Sequence, residues 1–239
     1  MNSVEDFPDP ELATEEGLLA LGGDLGIERL LKAYQCGIFP WYHPGEPILW
    51  WSPDPRCVLY PDHFRPSRSL RKSIRKNGFR FTFDQDFENV IEHCAAPRTH
   101  GSGTWITEEM KAAYLKLHQL GYAHSTEVWK NGQLAGGLYG IAMGGMYFGE
   151  SMFTLVTDAS KAALYCLSSS LAAWRYHLID CQVTSPHLLS LGATEIPRRE
   201  FLETLARALS QPGKTGTWSP PEAKTLFIVQ PGHRDHSIP

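Results

Sequence analysis

Residues 124–150, HSTEVWKNGQLAGGLYGIAMGGMYFGE, restrict the fold more than any other stretch of the chain. Three strand-like runs are separated by Asn131-Gly132 and Gly144-Gly145. An Asn-Gly pair between such runs is the strongest short hairpin signal, because both turn positions need φ > 0. The spacing predicts a three-stranded antiparallel meander. Around it, helix-like and strand-like segments alternate. Ser67 to Lys76 is expected as a helix capped by Ser67 and stopped at Asn77-Gly78, and FRFTF (79–83) as a strand. Phe87 to Cys94 and Thr107 to Leu120 have helical spacing, the second with Glu108 and Glu109 in a first turn where the helix dipole favours them. A long helix over Ala159 to Trp174, a buried strand HLIDCQV (177–183), a helix Arg199 to Leu209 and a last strand TLFIV (225–229) follow. The mixture predicts an α+β fold with a central, mostly antiparallel sheet.

The first part of the chain differs. Phe39 to Arg56, FPWYHPGEPILWWSPDPR, holds three tryptophans and five prolines in eighteen residues. Proline fixes φ and removes a donor, so the block is expected as a stiff extended loop rather than a helix or an inner strand. Before it, GIERLLKAYQCG predicts one short helix, with Asp24 as a capping carboxylate and Gly37 as its stop. The expected division is a small loop-rich domain over 1–62 and a larger one over 63–239.

Charge is unevenly placed. From His63 to Phe83 there are seven basic residues and no acidic one, so a chain of net charge −4 carries +7 in that window and −11 elsewhere. Arg68, Arg71, Lys72, Arg75 and Lys76 fall at i, i+3, i+4, i+7 and i+8, on one helix face without counter-charges. A solvated face is the plain alternative, but a phosphate backbone would relieve the repulsion, and such contacts read charge rather than sequence. The five cysteines are odd in number and have no CxxC pair, which argues against a disulfide framework or zinc site and favours a reducing compartment. No apolar run reaches the roughly 20 residues of a membrane span, and the acidic N-terminus lacks secretory order. A cytoplasmic protein, with no membrane partner, metal or cofactor, is expected.

Two motif fragments mislead. Pro212-Gly213-Lys214-Thr215 resembles the end of a phosphate loop, but Ala208 stands where the first glycine belongs and a helix precedes it. Gly149-Glu150-Ser151-Met152-Phe153 lacks the second glycine of a nucleophile elbow. Carboxylates at strand ends are better candidates. Glu150 closes the meander beside Gly149, where backbone can approach a ligand. Asp180 lies inside Leu178-Ile179-Asp180-Cys181-Gln182-Val183, where a buried charge needs a partner or a task. Alternation would turn Asp180 and Gln182 to the same side of the sheet. An Asp that only ties down a loop would look the same.

Taken in order, GLLALGGDL (17–25), GIFPWY (37–42), PILWWSPDPR (47–56), SRSL (67–70), GTWIT (103–107), GESMF (149–153), LIDCQV (178–183) and SLGA-EIPRREF (190–201) resemble the leucyl/phenylalanyl-tRNA–protein transferase family. The resemblance implies transfer of Leu or Phe, less well Met, from aminoacyl-tRNA to proteins with N-terminal Arg or Lys, leading to N-degron proteolysis. It implies a larger domain akin to the GNAT acyltransferase fold and a monomer without cofactor. It assigns catalysis to Asp180 with Gln182, the aminoacyl-adenosine to Trp41 and Trp105, and the cationic protein acceptor to Glu150 near Gly149 and Ser151. The amino-acid pocket is expected from Leu138, Tyr147, Leu167 and Leu171, and the tRNA phosphates on the basic helix. Whether Asp180 is a general base or an electrostatic anchor stays open. An acyl-CoA transferase is disfavoured because FTLVTDASKAAL offers no glycine loop for a pyrophosphate. A non-catalytic RNA-binding module would leave the acidic residues unused.

Overall fold

The computed structural model describes residues 6–97, 105–214, 216 and 218. In chain order the first elements are β1 (Leu18–Leu21), α1 (Ile27–Gln35), β2 (Phe39–Pro40) and β3 (Leu49–Trp51). They form a three-stranded antiparallel sheet of order β1-β3-β2. The Pro/Trp block therefore is not a loop throughout, and β3 is an inner strand. The reason is where the prolines fall: Pro40 sits on the edge strand, while Pro44, Pro47, Pro53 and Pro55 lie outside β3. Trp50 is buried, its indole N–H donating to the Gly22 carbonyl at 2.8 Å. Asp24 does not cap α1. Its carboxylate accepts from the Gly26 N–H at 2.7 Å, and Gly26 itself starts the helix without a side-chain bond. α1 buries Leu30, Ala33 and Tyr34.

The second part begins with β4 (Arg56–Leu59), then α2 (Arg68–Asn77), β5 (Arg80–Phe83), α3 (Phe87–Ala95) and α4 (Glu108–Gln119). The Ser67 and Thr107 hydroxyls cap α2 and α4 by accepting from Leu70 and Met110 N–H. The meander follows as β6 (Ala123–Lys130), β7 (Gln133–Met143) and β8 (Met146–Thr154), with Asn131 and Gly132 both at positive φ in the first turn. Then come α5 (Ala159–Ala173), β9 (Leu178–Gln182), α6 (Pro186–Ser190), β10 (Thr194–Ile196) and α7 (Arg198–Leu209). The expected strand at 225–229 lies outside the described residues. One seven-stranded sheet, β10-β4-β9-β8-β7-β6-β5, contains six of these pairings, all antiparallel except β8 with β9.

Alternation along the strands divides the core. Tyr139, Ile141, Phe148 and Leu178 face α1, α3, α4 and α7, while Leu138, Ala142, Tyr147 and Ile179 face α2 and α5. Each large apolar side chain so buried contributes about 1.5–3 kcal/mol. Among the described residues no helix is long and apolar enough to cross a membrane.

Candidate active site

β8 and β9 run side by side from Met146↔Leu178 to Phe148↔Asp180 and then part, β8 continuing against β7 and β9 against β4. Each strand carries a bulge where they separate. Tyr139 pairs with Ser151 and Gly140 with Gly149, so Glu150 is the extra residue on β8. Cys57 pairs with Gln182 and Val58 with Asp180, so Cys181 is the extra residue on β9. Bulges re-aim side chains and end pairing, and two of them open the sheet here. Gly140 is required opposite: a Cβ there would lie 2.1 Å from the Phe148 carbonyl oxygen and 2.7 Å from the Tyr147 ring. The gap leads into a cavity of about 240 Å³, open to solvent.

Glu150 is its central charge. The Tyr34 hydroxyl donates to Oε1 at 2.8 Å, the Tyr114 hydroxyl to Oε2 at 2.8 Å and the Gln182 amide to Oε1 at 3.1 Å. The two tyrosine oxygens lie 2.6 Å apart. Burial pushes the Glu150 carboxyl up to about 7, partly offset by the tyrosine hydroxyls and reinforced by the Asp180 charge. The geometry suits the protonated acid. Each tyrosine has one proton, so if both donate to a carboxylate nothing bridges the short contact between them. A carboxylic acid that donates to one tyrosine closes a ring of three hydrogen bonds.

Asp180 was expected beside the incoming amine, and the structure puts it one layer behind. It is 0% exposed and does not line the cavity. Arg56 holds it through two bonds, Nε to Oδ1 at 2.8 Å and Nη2 to Oδ2 at 2.7 Å, and the Gln182 N–H donates to Oδ1 at 2.9 Å. The guanidinium lies between the Phe39 and Phe201 rings, 4.9 and 4.5 Å from their centroids. Gln182 has φ 63, in the left-handed region that costs a non-glycine residue of order 1 kcal/mol or more. Asp180 thus pins the strained turn that aims the Gln182 amide at Glu150.

Trp105, Leu138, Tyr147, Gly149, Ser151, Leu167 and Gln182 join Glu150 in the cavity wall. Besides Asp180, two expected residues do not. Trp41 is 40% exposed and packs on the small sheet against Trp51, ring centroids 5.9 Å apart. Leu171 is fully buried in the α5 core, because one further helical turn carries it past the gap. The basic side chains Arg68, Arg71, Lys72, Arg75 and Lys76 all lie exposed on α2, whose Leu70 and Ile74 face inward. Among the described residues none of the five has an ion-pair partner; Arg71 and Arg75 reach only backbone carbonyls, of Pro66 and Arg71.

Sequence reasoning missed Tyr34, Tyr114 and Arg56, which read as core or motif-end residues, and His187, Ser185 and Leu164, which also line the cavity. The described residues hold no group of three or more His, Cys, Asp or Glu arranged for a metal.

Comparison with known proteins adds a second line. The family profile described as leucyl/phenylalanyl-tRNA protein transferase matches residues 58–206, and that of its N-terminal domain matches 23–54. A leucyl/phenylalanyl-tRNA–protein transferase of Syntrophus aciditrophicus is 55% identical over 230 residues, covering 95% of this chain and 95% of that protein. One of Desulfatibacillum aliphaticivorans is 55% identical over 214 residues, covering 89% and 92%. A solved structure of a functionally unknown conserved protein from Staphylococcus epidermidis shares 12% identity at TM-score 0.41, covering 75% of this chain and 68% of that one.

Proposed function

The chain belongs to the leucyl/phenylalanyl-tRNA–protein transferase family, and from that premise we propose how its cleft performs the reaction. The enzyme moves Leu or Phe from an aminoacyl-tRNA to the N-terminal Arg or Lys of a protein, which then enters the N-degron route. The observation that carries the mechanistic reading is Glu150: a cavity carboxyl poised at about 7 and bonded to the Gln182 amide. When ionised, it attracts the cationic amino terminus and takes one proton from it, leaving a neutral amine. The Gln182 side-chain oxygen accepts from that amine and turns its lone pair toward the ester. The C–N bond forms as the ester C–O bond breaks, and the ribose oxygen leaves with the amine's second proton. The ester is already activated, so held proximity supplies much of the acceleration.

The other roles follow from position. Asp180, with Arg56 behind it, positions Gln182 rather than touching the amine. Leu138, Tyr147 and Leu167 form the apolar wall for the Leu or Phe side chain, and Met is carried less well. Trp105 stacks the terminal adenine, worth roughly 1–3 kcal/mol, and the exposed Trp41 offers a second ring to the same nucleoside. Gly149 and Ser151 flank the incoming backbone. α2 holds the tRNA by its phosphates, and both α2 and the cavity pack against α5, which sets their separation. We place the enzyme in the cytoplasm as a monomer, folded as a 1–62 unit and a 63–239 GNAT-like unit with β4 contributed across the boundary.

Transfer of labelled Leu from Leu-tRNA to a protein beginning with Arg tests the reading. The wild-type enzyme is expected to label that protein and not one beginning with Gly. Gln182→Ala should lower kcat about 100-fold or more while leaving tRNA affinity unchanged. Full turnover in that variant would remove Gln182 from the mechanism.

A further inference from the structure

Beyond α7 the chain comes back across the α2/α5 side of the sheet. Gly213 lies so close to the β7–β8 turn that a Cβ on it would sit 2.8 Å from the Gly144 backbone, and a Cβ on Gly121 would sit 3.0 Å from the Gly216 nitrogen. Lys214 sits over the Trp174 ring at 4.0 Å, and its carbonyl accepts from the Trp218 indole at 3.1 Å. The Trp218 N–H donates to Asp84 Oδ2 at 2.6 Å, and Asp84, 0% exposed at its side chain, also binds His124 Nδ1 at 2.9 Å and the Ser125 N–H at 3.0 Å. The segment is thus tied to β6 by a buried carboxylate.

Trp218 itself is 1% exposed. Its ring stacks on His124 at 3.9 Å and 7°, meets Trp174 edge-on at 5.0 Å, and lies 6.0 Å from Tyr147. Tyr147 lines the catalytic cavity, and its hydroxyl donates to the His124 carbonyl at 3.3 Å. On the β7 side Gly140 leaves space for the Tyr147 ring, where a Cβ would come within 2.7 Å of it. The Tyr147 ring is therefore held between β7, the His124 backbone and Trp218. The family profile ends at residue 206, short of this support.

We propose that Trp218 is a positioning residue for the amino-acid side-chain pocket: by bracing the Tyr147 ring it sets how the cavity fits the Leu or Phe carried by the donor. The proposal rests on the reading of Leu138, Tyr147 and Leu167 as that pocket's wall. A residue that braced the sheet only for stability would affect both substrates alike. A brace on one wall should affect the donor alone, since the protein acceptor approaches from the Glu150 side.

Steady-state transfer with Leu-tRNA and Phe-tRNA, measured on the full chain, decides the matter. Trp218→Ala is expected to raise the donor KM about tenfold, unequally for Leu and Phe, as a misfit of methylene size does in an apolar pocket. Its kcat and its KM for the protein acceptor should stay close to wild type, and Trp218→Phe should restore most of the donor KM. Gly213→Ala, which lifts the segment off Gly144 without removing a ring, should move the donor KM in the same direction. Leu138→Ala tests the underlying wall independently. If Leu138→Ala raises the donor KM and Trp218→Ala does not, the brace is wrong. If neither changes it, the pocket reading falls and the brace with it. Should Trp218→Ala not fold, an unaltered donor KM and Leu-to-Phe ratio in Gly213→Ala overturns the proposal.

Discussion

Glu150 stands where three parts of the chain meet: Tyr34 from α1, Tyr114 from α4 and Gln182 from β9. Its burial has a consequence for stability. An unfolded glutamate titrates near 4.3–4.5, whereas the folded group titrates near 7. Between those values the unfolded chain gives up the proton and the native state keeps it, so this residue makes stability fall as pH rises from about 4.5 to about 7. Glu150→Gln abolishes that dependence. Its melting temperature relative to wild type should therefore climb across the window and level off above it; parallel melting curves would disprove the raised pKa. Activity should move the other way, rising as Glu150 ionises. Tyr34→Phe removes a donor that stabilises the carboxylate, so its rate should rise at a higher pH than the wild-type rate does. Glu150 and Gln182 were legible in the sequence as a carboxylate beside a glycine and an amide beyond a buried carboxylate, although Glu150 lies inside β8 at its bulge and does not close the strand. Their partners were not, since Tyr34 lies 116 residues from Glu150 and Arg56 lies 124 from Asp180. On helical periodicity Tyr34 is simply a core residue; the hydroxyl that matters leaves no trace in the pattern.

Elements were easier to read where the signal is local. The Asn131-Gly132 turn, the Ser67 and Thr107 caps and the alternation of β6 to β8 all depend on residues a few positions apart, and all formed as their chemistry requires. The bulges at Glu150 and Cys181 did not show, because a bulge is a property of two strands in register and not of either alone. β3 was obscured by its flanking prolines for the opposite reason, a strong local signal that stops one residue short of the strand. α2 is an element whose two faces carry different information. Leu70 and Ile74 fix it to the fold, and the outer face has five cations without counter-ions among the described residues. Arg75→Glu should consequently leave thermal stability within about 0.5 kcal/mol of wild type. It should also weaken tRNA binding and reduce the slope of log affinity against log salt by about one. Binding isotherms at several salt concentrations read both quantities, and unchanged affinity would exclude α2 as the docking face.

Across the whole molecule, the two substrates have opposite charge, and the proposed reading puts them on separate surfaces of the chain. The window from His63 to Phe83 carries +7 and the remainder −11, while the donor is a polyanion and the protein acceptor begins with a cation. The sequence alone shows the imbalance but not its geometry, because the sheet that arranges it is made by pairings between distant strands. β4 lies between β9 and β10, joining residues from opposite ends of the fold, and no local pattern announces that neighbourhood. Once it is formed, α5 packs α2 on one side and presents Leu164 and Leu167 to the cavity on the other, so the cationic ridge and the Glu150 cleft are held a fixed span apart. Salt should then act on the two substrates separately. The donor KM depends on several phosphate contacts and should rise steeply with ionic strength. The acceptor KM depends on one or two charges near a half-buried carboxyl and should rise only slightly, since screening reaches such a site poorly. Reversing charge on α2 should flatten the first dependence and leave the second as it was. Initial rates over a salt series, with each substrate varied in turn, measure both slopes; equal slopes, or a joint response to the α2 change, would mean that the molecule does not keep its two charged partners on separate surfaces.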